Sequence, residues 1–523
     1  MSSARNRKAA PKRVSPAADV RTFRGADASA SAPMAGLASV VLTDPRPESE
    51  TPIQFGPSPE DTPADKRHLD AVGGRATIEV SIPDALTKFS NVVAVDNINL
   101  AHAVLGAYGF SRDIRMAEAR KDQALSQSRQ ARGLLLPSLT LRDSSGRETS
   151  SPGSVTDAAT GSAKVRDEHL RKDKIVTFKQ PLLDAPSLLD WGRRDSIVDS
   201  RQGSLISAQG DTYVAAVQSY LNIITTRLLS ELYQEYEQQL DVLLNYVSKR
   251  AEAGASSQSD MERVRARSLA AKSQRIEQDA AYSAAIVEFI RITNLAPRNL
   301  VLPHREEVSR GLPESYDKGI DAALEANPEM RVLKAELDAA EKDIQAARAR
   351  HLPRVDFEVS DSKITNAGGP TGLQHDQRAM VVMTWNVLNG SVDYYNLREK
   401  QDKRVESFYK LDDQQRRLRQ GLSAQYATLD AAKARINAGY REWSATYFAA
   451  RSMSQRMLSG NQSLLDLLDA LDRVQQARAR LISLHASEIL SVAQIARLVG
   501  NFPDAETLAE KTARLGAGNQ SGF

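Results

Sequence analysis

The chain has 523 residues, 41% apolar but only 5% aromatic, with 69 basic against 66 acidic side chains and a mean hydropathy of −0.42. So lean an apolar content disfavours several large compact cores and favours long helices sharing Ala- and Leu-rich seams, and the interspersed charges give no basic field for nucleic acid. Zero cysteines exclude disulfides, thiolate metal sites, a cysteine nucleophile and a lipidated N-terminal cysteine, and no run approaches the ~18 uninterrupted apolar residues of a transmembrane helix, which leaves any membrane crossing to strands.

Residues 1–95 are rich in Ala, Pro, Ser and charge without a sustained apolar period, and are expected to be disordered up to about residue 75, with order beginning near Ile98. Arg5, Arg7, Lys8, Lys12 and Arg13 resemble the basic start of an export leader, but the apolar stretch that follows, Met34 to Leu42, is short and interrupted.

From Ile98 the pattern is helical to Leu135, then Leu136-Pro137 switches it to a strand carrying Leu139 and Leu141. A polar loop, about Arg142 to Lys174, precedes a returning strand, Ile175 to Leu183. A helix of some 65 residues follows, Leu188 to Ala253, with Val217, Leu221, Ile224, Leu228, Leu240, Leu243 and Val247 at alternating spacings of three and four. At ~1.5 Å per residue it is ~100 Å long, beyond any ordinary globular domain. Gly254 turns the chain, and an antiparallel helix returns to about Leu295. Pro297, Pro303 and Pro313 mark an irregular connector, placed at 303–315.

The second half repeats the first. Met330, Leu333, Leu337, Ala340, Ile344 and Ala347 form a seam that needs a partner helix along its length; Leu352-Pro353 ends it, and Val355, Phe357 and Val359 alternate with Asp356, Glu358 and Ser360. A loop, Asp361 to Arg378, and a returning strand, Ala379 to Leu388, lead to a helix from Val392 to Ser459, a turn at Gly460 and a return to Gly500. At an offset of 353 − 137 = 216, Ala119, Ala124, Ala131 and Arg132 fall on Ala335, Ala340, Ala347 and Arg348. At 460 − 254 = 206, Tyr220, Arg250, Gly254, Ser257, Asp260 and Arg267 fall on Tyr426, Arg456, Gly460, Ser463, Asp466 and Arg473. Two registers separated by one loop-length change indicate a duplicated unit, read as 96–302 and 316–502, with 503–523 as a flexible tail.

No catalytic constellation emerges: the seven histidines are scattered, and neither a metal-ligand spacing nor a phosphate-binding glycine loop is present, so an enzyme and a cofactor are not expected. The sharpest local signal is at the hairpin bends, where Asp466 and Asp469 lie three residues apart on one helix face and the first copy offers Asp260, with Arg263 in place of the second acid. Two readings fit them: favourable carboxylates in the first turn of a helix, or a charged constriction. Trp191 and Trp385 sit where a returning strand meets a helix and suit either core packing or a membrane-interface belt. Tyr220, Tyr233, Tyr236 and Tyr246 read as seam packing.

The duplicated helix, Leu-Pro and strand units, the segments Pro181-Leu-Leu-Asp184 and Asn386-Val-Leu-Asn-Gly390, and the bends Gly254 to Asp260 and Gly460 to Asp469 together resemble the TolC-like outer membrane efflux protein family over about residues 96–502. The resemblance implies a mixed α+β membrane protein: long coiled-coil hairpins forming a periplasmic α-barrel, and four strands per subunit contributing to a twelve-stranded outer membrane β-barrel in a homotrimer. It implies an exit duct for drugs or secreted proteins, with a periplasmic adaptor, an inner-membrane ABC or proton-driven transporter and outer membrane lipid as partners. On that resemblance Asp466 and Asp469 fall on the acids lining the periplasmic entrance, and Asp260 on the first-hairpin acid that helps hold it shut. Met457 and Gln462 stand where family members carry the aromatic and the arginine of a latch, which leaves Arg456 and Gln462 as latch candidates. Two rivals remain at this stage: a soluble coiled-coil scaffold, in which 355–360 would be helical or loose, and a periplasmic adaptor, which usually carries one hairpin rather than two.

Overall fold

The structure, a computed structural model, describes residues 53–55, 58–59, 76–80, 93–150, 167–309, 311–368, 372–458 and 462–509, all within one compact unit, Thr51–Phe523. The expected export leader and the turn at Gly460 lie outside the described residues.

In chain order, short strands β1 (Thr77–Glu79) and β2 (Val93–Ile98) precede helices α1 (Leu100–Phe110) and α2 (Arg112–Gly133). Strands β3 (Ser138–Ser150) and β4 (Asp167–Leu183) then lead into the long hairpin α3 (Ala185–Glu252) and α4 (Gln258–Thr293). Strand β5 (Leu295–Val301) and helices α5 (Arg305–Ser309), α6 (Tyr316–Ala326) and α7 (Pro328–Ala349) connect to strands β6 (Arg354–Thr365) and β7 (Leu373–Thr384) and the second hairpin, α8 (Val392–Leu458) and α9 (Leu464–Val499).

The two hairpins match the sequence expectation within a few residues, because their seams and terminators are local signals. Gly254 has φ +72°, the left-handed conformation that lets a helix end without a Cβ clash, and Ser257 caps α4 by accepting from the Ser259 amide at 3.2 Å. The far ends repeat each other too: Asn294 and Gly500, 500 − 294 = 206 residues apart, are both left-handed C-caps. At Gly500 a Cβ would collide with the Ala326 carbonyl, so only glycine permits that approach. Of the residues paired at offset 216, Ala124, Ala131, Ala340 and Ala347 are all buried, the small side chains letting helices approach closely.

The start of order and the length of the strands depart from expectation. The region read as featureless, 1–95, contains β1, the first half of β2 and the buried Ile53. The first helix is interrupted at Ser111 (φ −56°, ψ 124°), whose hydroxyl caps α2 by accepting from the Ile114 amide at 3.3 Å. Pro297 lies not in an irregular connector but in β5, the centre of a sheet ordered β1-β5-β2; β1 reaches only Asn299 to Val301, so the missing Pro297 N–H meets no β1 partner. Tyr220, fully buried, donates to the carbonyls of Ile98 (3.0 Å) and Val301 (2.5 Å), and its repeat equivalent Tyr426 donates to that of Pro313 (2.9 Å). These tyrosines are therefore backbone anchors as well as seam packing. The connector 303–315 contains α5, and the expected flexible tail begins with a docked turn: 505–509 is helical, Leu508 is buried and Tyr108 donates to the Pro503 carbonyl at 2.9 Å.

A second sheet has the order β3-β4-β6-β7, antiparallel throughout. Its strands run well past the expected ends, so Arg142–Ser150 and Asp167–Lys174 are paired ladder rather than loop, and β7 ends at Thr384 rather than Leu388. Those segments are polar on both faces, so an apolar alternation test stops where the apolar belt stops although the backbone ladder continues. Beside this sheet the helices pack in the lateral order α2-α3-α7-α8, and beyond the connector in the order α4-α3-α9-α8.

Candidate gate and membrane-facing sheet

The four-stranded sheet is built with two chemically distinct faces. Directly paired residues share a face, and the registers Leu139↔Phe178↔Val359↔Ala379 and Gln180↔Phe357↔Val381 put one set of apolar side chains in line. With Leu141, Val176, Val355 and Met383 these span ~20 Å along the strands, close to the apolar band of a barrel wall. Leu139 and Leu141 are each 72% exposed and Val381 65%. On the other face, in β4 and β6, Lys179 pairs with Asp356 (3.0 Å) and Glu358 (2.7 Å) and Arg354 also reaches Asp356 (3.1 Å), while β7 adds Met380 and Val382 beside them. Oil on one side and compensated charge on the other is what a barrel wall requires. Above the belt both faces are charged, with ion pairs Arg147–Glu168 and Arg171–Glu148. The strand 354–365 removes the scaffold reading, which needed 355–360 helical or loose.

At the helix-to-strand junctions Pro137 and Pro353 stand immediately before β3 and β6, just beyond the ends of α2 and α7; at the strand-to-helix junctions stand the two tryptophans. Trp385 is 53% exposed and donates its indole N–H to the His351 carbonyl at 2.9 Å, whereas Trp191 is half-buried on α3 beneath the Arg132 guanidinium, 5.6 Å from its ring.

At the other end of the molecule are the bends. Asp466 and Asp469 face, with Arg473, a groove of about 330 Å³ walled by Ala445, Thr446, Ala449 and Met453 of α8. Asp260 pairs with Arg263 one turn on at 3.6 Å, and Ser463 stands at the N-cap of α9 without a side-chain cap bond. Neither sequence-derived latch candidate crosses between hairpins: Arg456 donates to Ser452 of its own helix (2.9 Å), and Gln462 donates to Asp466 (3.0 Å).

The cross-hairpin links are made by residues that sequence reasoning passed over. Arg267 of α4 reaches Asp472 (3.1 Å) and Asp469 (3.5 Å) of α9, and the hydroxyl of Tyr236 on α3 donates to the same Asp472 (3.3 Å). Burial pushes the Tyr236 hydroxyl well above the ordinary tyrosine range, and the negative charge of Asp472 adds to it. About two turns further from the bend, Arg478 of α9 donates to Glu235 of α3 at 2.7 Å. The one signal available in the sequence was Arg267 itself, which the repeat sets on Arg473 beside Asp472. Nothing local says which hairpin faces which.

The fold is a four-stranded antiparallel sheet continued by two helical hairpins whose longer helices have 68 and 67 residues. Residues 319–501 match the outer membrane efflux protein family. The chain is 25% identical over 413 residues to the alkaline protease secretion protein AprF of Pseudomonas aeruginosa, covering 73% of this chain and 82% of that one. It is 24% identical to the proteases secretion protein PrtF of Dickeya chrysanthemi, covering 58% and 68%. The solved structure of CusC shares the fold with a TM-score of 0.67 at 16% identity, over 77% of this chain and 92% of that one. The second half of the chain thus matches the outer membrane efflux protein family and its fold is that of solved outer membrane channels, and these similarities put the chain in the outer membrane with the helical tube in the periplasm.

Proposed function

We propose that the chain is the outer membrane exit duct of a tripartite efflux or type I secretion system, and that three copies close one twelve-stranded barrel and one helical tube. What carries the assembly is the edge arrangement. The β-sheet ends in β3 and β7, the upper helices in α2 and α8, and the lower ones in α4 and α8. In every layer one edge belongs to the first repeat and the other to the second, so copies joined edge to edge make a head-to-tail interface that closes as a ring. Open strand edges are not tolerated in lipid, which makes closure obligatory. The edge helix α8 carries exposed Tyr394, Tyr395, Phe408 and Tyr409, apolar surface suited to a neighbour. Four strands from each of three copies make twelve.

In this duct the bends form the periplasmic gate. Repeated Asp466 and Asp469 create acidic rings; like charges ~6 Å apart repel by ~0.7 kcal/mol per pair even in water, so the rings draw cations and resist further closure. Arg267 holds the two hairpins of each copy together and offsets that repulsion. Opening is an outward shift of the tip helices on contact with a periplasmic adaptor, and the inner-membrane transporter supplies the energy. Trp385, exposed at the strand-to-helix junction, suits the periplasmic membrane interface. The names of the two secretion relatives support polypeptide export as readily as efflux of small molecules. The test is molecular mass in detergent combined with planar-bilayer recording: a trimer that conducts supports the reading, and a silent monomer contradicts it.

A further inference from the structure

One segment has no part in the barrel, the tube or the repeat. Ile53, Gln54 and Phe55 lie far ahead of β1 in sequence yet seat against the hairpins. Ile53 is 1% exposed and belongs to an apolar cluster with Tyr236, Leu240 and Leu243 of α3, Ala450 of α8 and Leu467 of α9. The Gln239 side-chain amide on α3 donates to the Gln54 carbonyl at 2.9 Å. Phe55 meets Tyr447 of α8 edge to face, with ring centroids 5.6 Å apart and planes at 69°. The contacts thus fall on α3 of the first hairpin and on α8 of the second. Between those helices lies α9, whose Leu471, Val474, Gln475 and Arg478 line the hollow that Phe55 enters. Tyr236 is 254 − 236 = 18 residues from the bend at Gly254, ~27 Å up the helix, near the Glu235–Arg478 pair.

We propose that Ile53-Gln54-Phe55 is an intramolecular tie: it fastens the first hairpin to the second across α9, and the tips separate fully only after it leaves its groove. The inference rests on the duct reading above. An aliphatic anchor, a backbone acceptor and an aromatic anchor, each gripped by a different side chain, make a docked segment rather than a passing loop. Because α3 and α8 belong to separate hairpins, any outward swing of one tip changes the spacing that the tie spans. Undocking adds the exposure of two apolar side chains to the work of opening, and a partner that displaces the segment lowers that work.

The chain has no native cysteine, so introduced thiols give no background. In the full-length channel purified in detergent, Phe55→Cys with Tyr447→Cys should be joined by a thiol-reactive crosslinker ~8 Å long in most chains, and crosslinking should lower open probability in planar bilayers at least tenfold. Separately, Ile53→Ser with Phe55→Ala should raise resting open probability about tenfold or more, with helical content and oligomer mass unchanged. A crosslinking yield no greater than with Phe55→Cys alone overturns the tie, as does wild-type gating in both the crosslinked protein and the double variant. Crosslinking is read whether or not the protein conducts, so failure of the duct reading shows as a silent wild type and failure of the tie as unlinked chains.

Discussion

Replacing Arg267 with alanine tests whether the cross-hairpin pairs hold the tips closed. Arg267 makes two ion pairs, to Asp472 at 3.1 Å and to Asp469 at 3.5 Å, and its side chain is 42% exposed, against 30% and 52% for the two acids. Partly exposed pairs of this kind contribute roughly 0.5 kcal/mol each, well below the Coulomb energy at contact, because water screens them and holding the side chains costs entropy. Two pairs give ~1 kcal/mol per copy, about fivefold in the open-to-closed ratio if copies act independently. If three copies open together the terms add to ~3 kcal/mol, about a hundredfold. Planar-bilayer recording of Arg267→Ala at low and high salt separates these cases, and the wild-type closed state should itself weaken as salt rises. An open probability unchanged within twofold at low salt would refute the assignment of Arg267 as the link that keeps the hairpins together.

Other perturbations follow from the same contacts. Asp466→Asn combined with Asp469→Asn should reduce cation over anion selectivity measured from reversal potentials, and unchanged selectivity would remove both residues from the permeation path. Tyr220→Phe leaves the carbonyls of Ile98 and Val301 short of a buried donor and should cost ~1–3 kcal/mol, lowering the thermal midpoint of the periplasmic part without altering the barrel. The Tyr236 hydroxyl, its folded pKa raised by burial and by Asp472, contributes stability that is complete below the unfolded value of ~10 and lost as pH rises through the folded one. Wild-type tip stability should therefore fall in alkali above pH ~10, and Tyr236→Phe should flatten that decline in melting curves taken across the range.

The elements legible in the sequence were those whose signals are local. The long helices announce themselves through apolar spacing of three and four and end at residues with special backbone needs, Gly254 and Gly500. The duplicated unit is visible in Leu136-Pro137 and Leu352-Pro353, and residues paired by it, such as Ala131 with Ala347, share the same burial. What sequence reading shortened were the strands, since Arg142–Ser150 and Asp167–Lys174 carry no apolar alternation and are held by the backbone ladder and cross-strand ion pairs. It missed β1 and the Ile53 segment because each buries only a few side chains, too few to register as a period. The Arg267–Asp472 pair escaped for a different reason: the two residues lie 472 − 267 = 205 residues apart, each about a quarter of the way along its helix, and only the packing of the first hairpin against α9 brings them together. Arg456 and Gln462, chosen by position beside the bend, turn instead to partners on or beside their own helices.

The central claim is that one face of the four-stranded sheet meets lipid. Because the chain lacks cysteine, single spin-labelled cysteines can be placed in turn at positions 379 to 384 in membranes and scored for collisions with oxygen and with a water-soluble relaxant. Oxygen contact should peak at Ala379, Val381 and Met383, and contact with the aqueous relaxant at Met380, Val382 and Thr384, a period of two through β7. A flat profile, or one favouring the aqueous relaxant at every position, would contradict a lipid-facing wall.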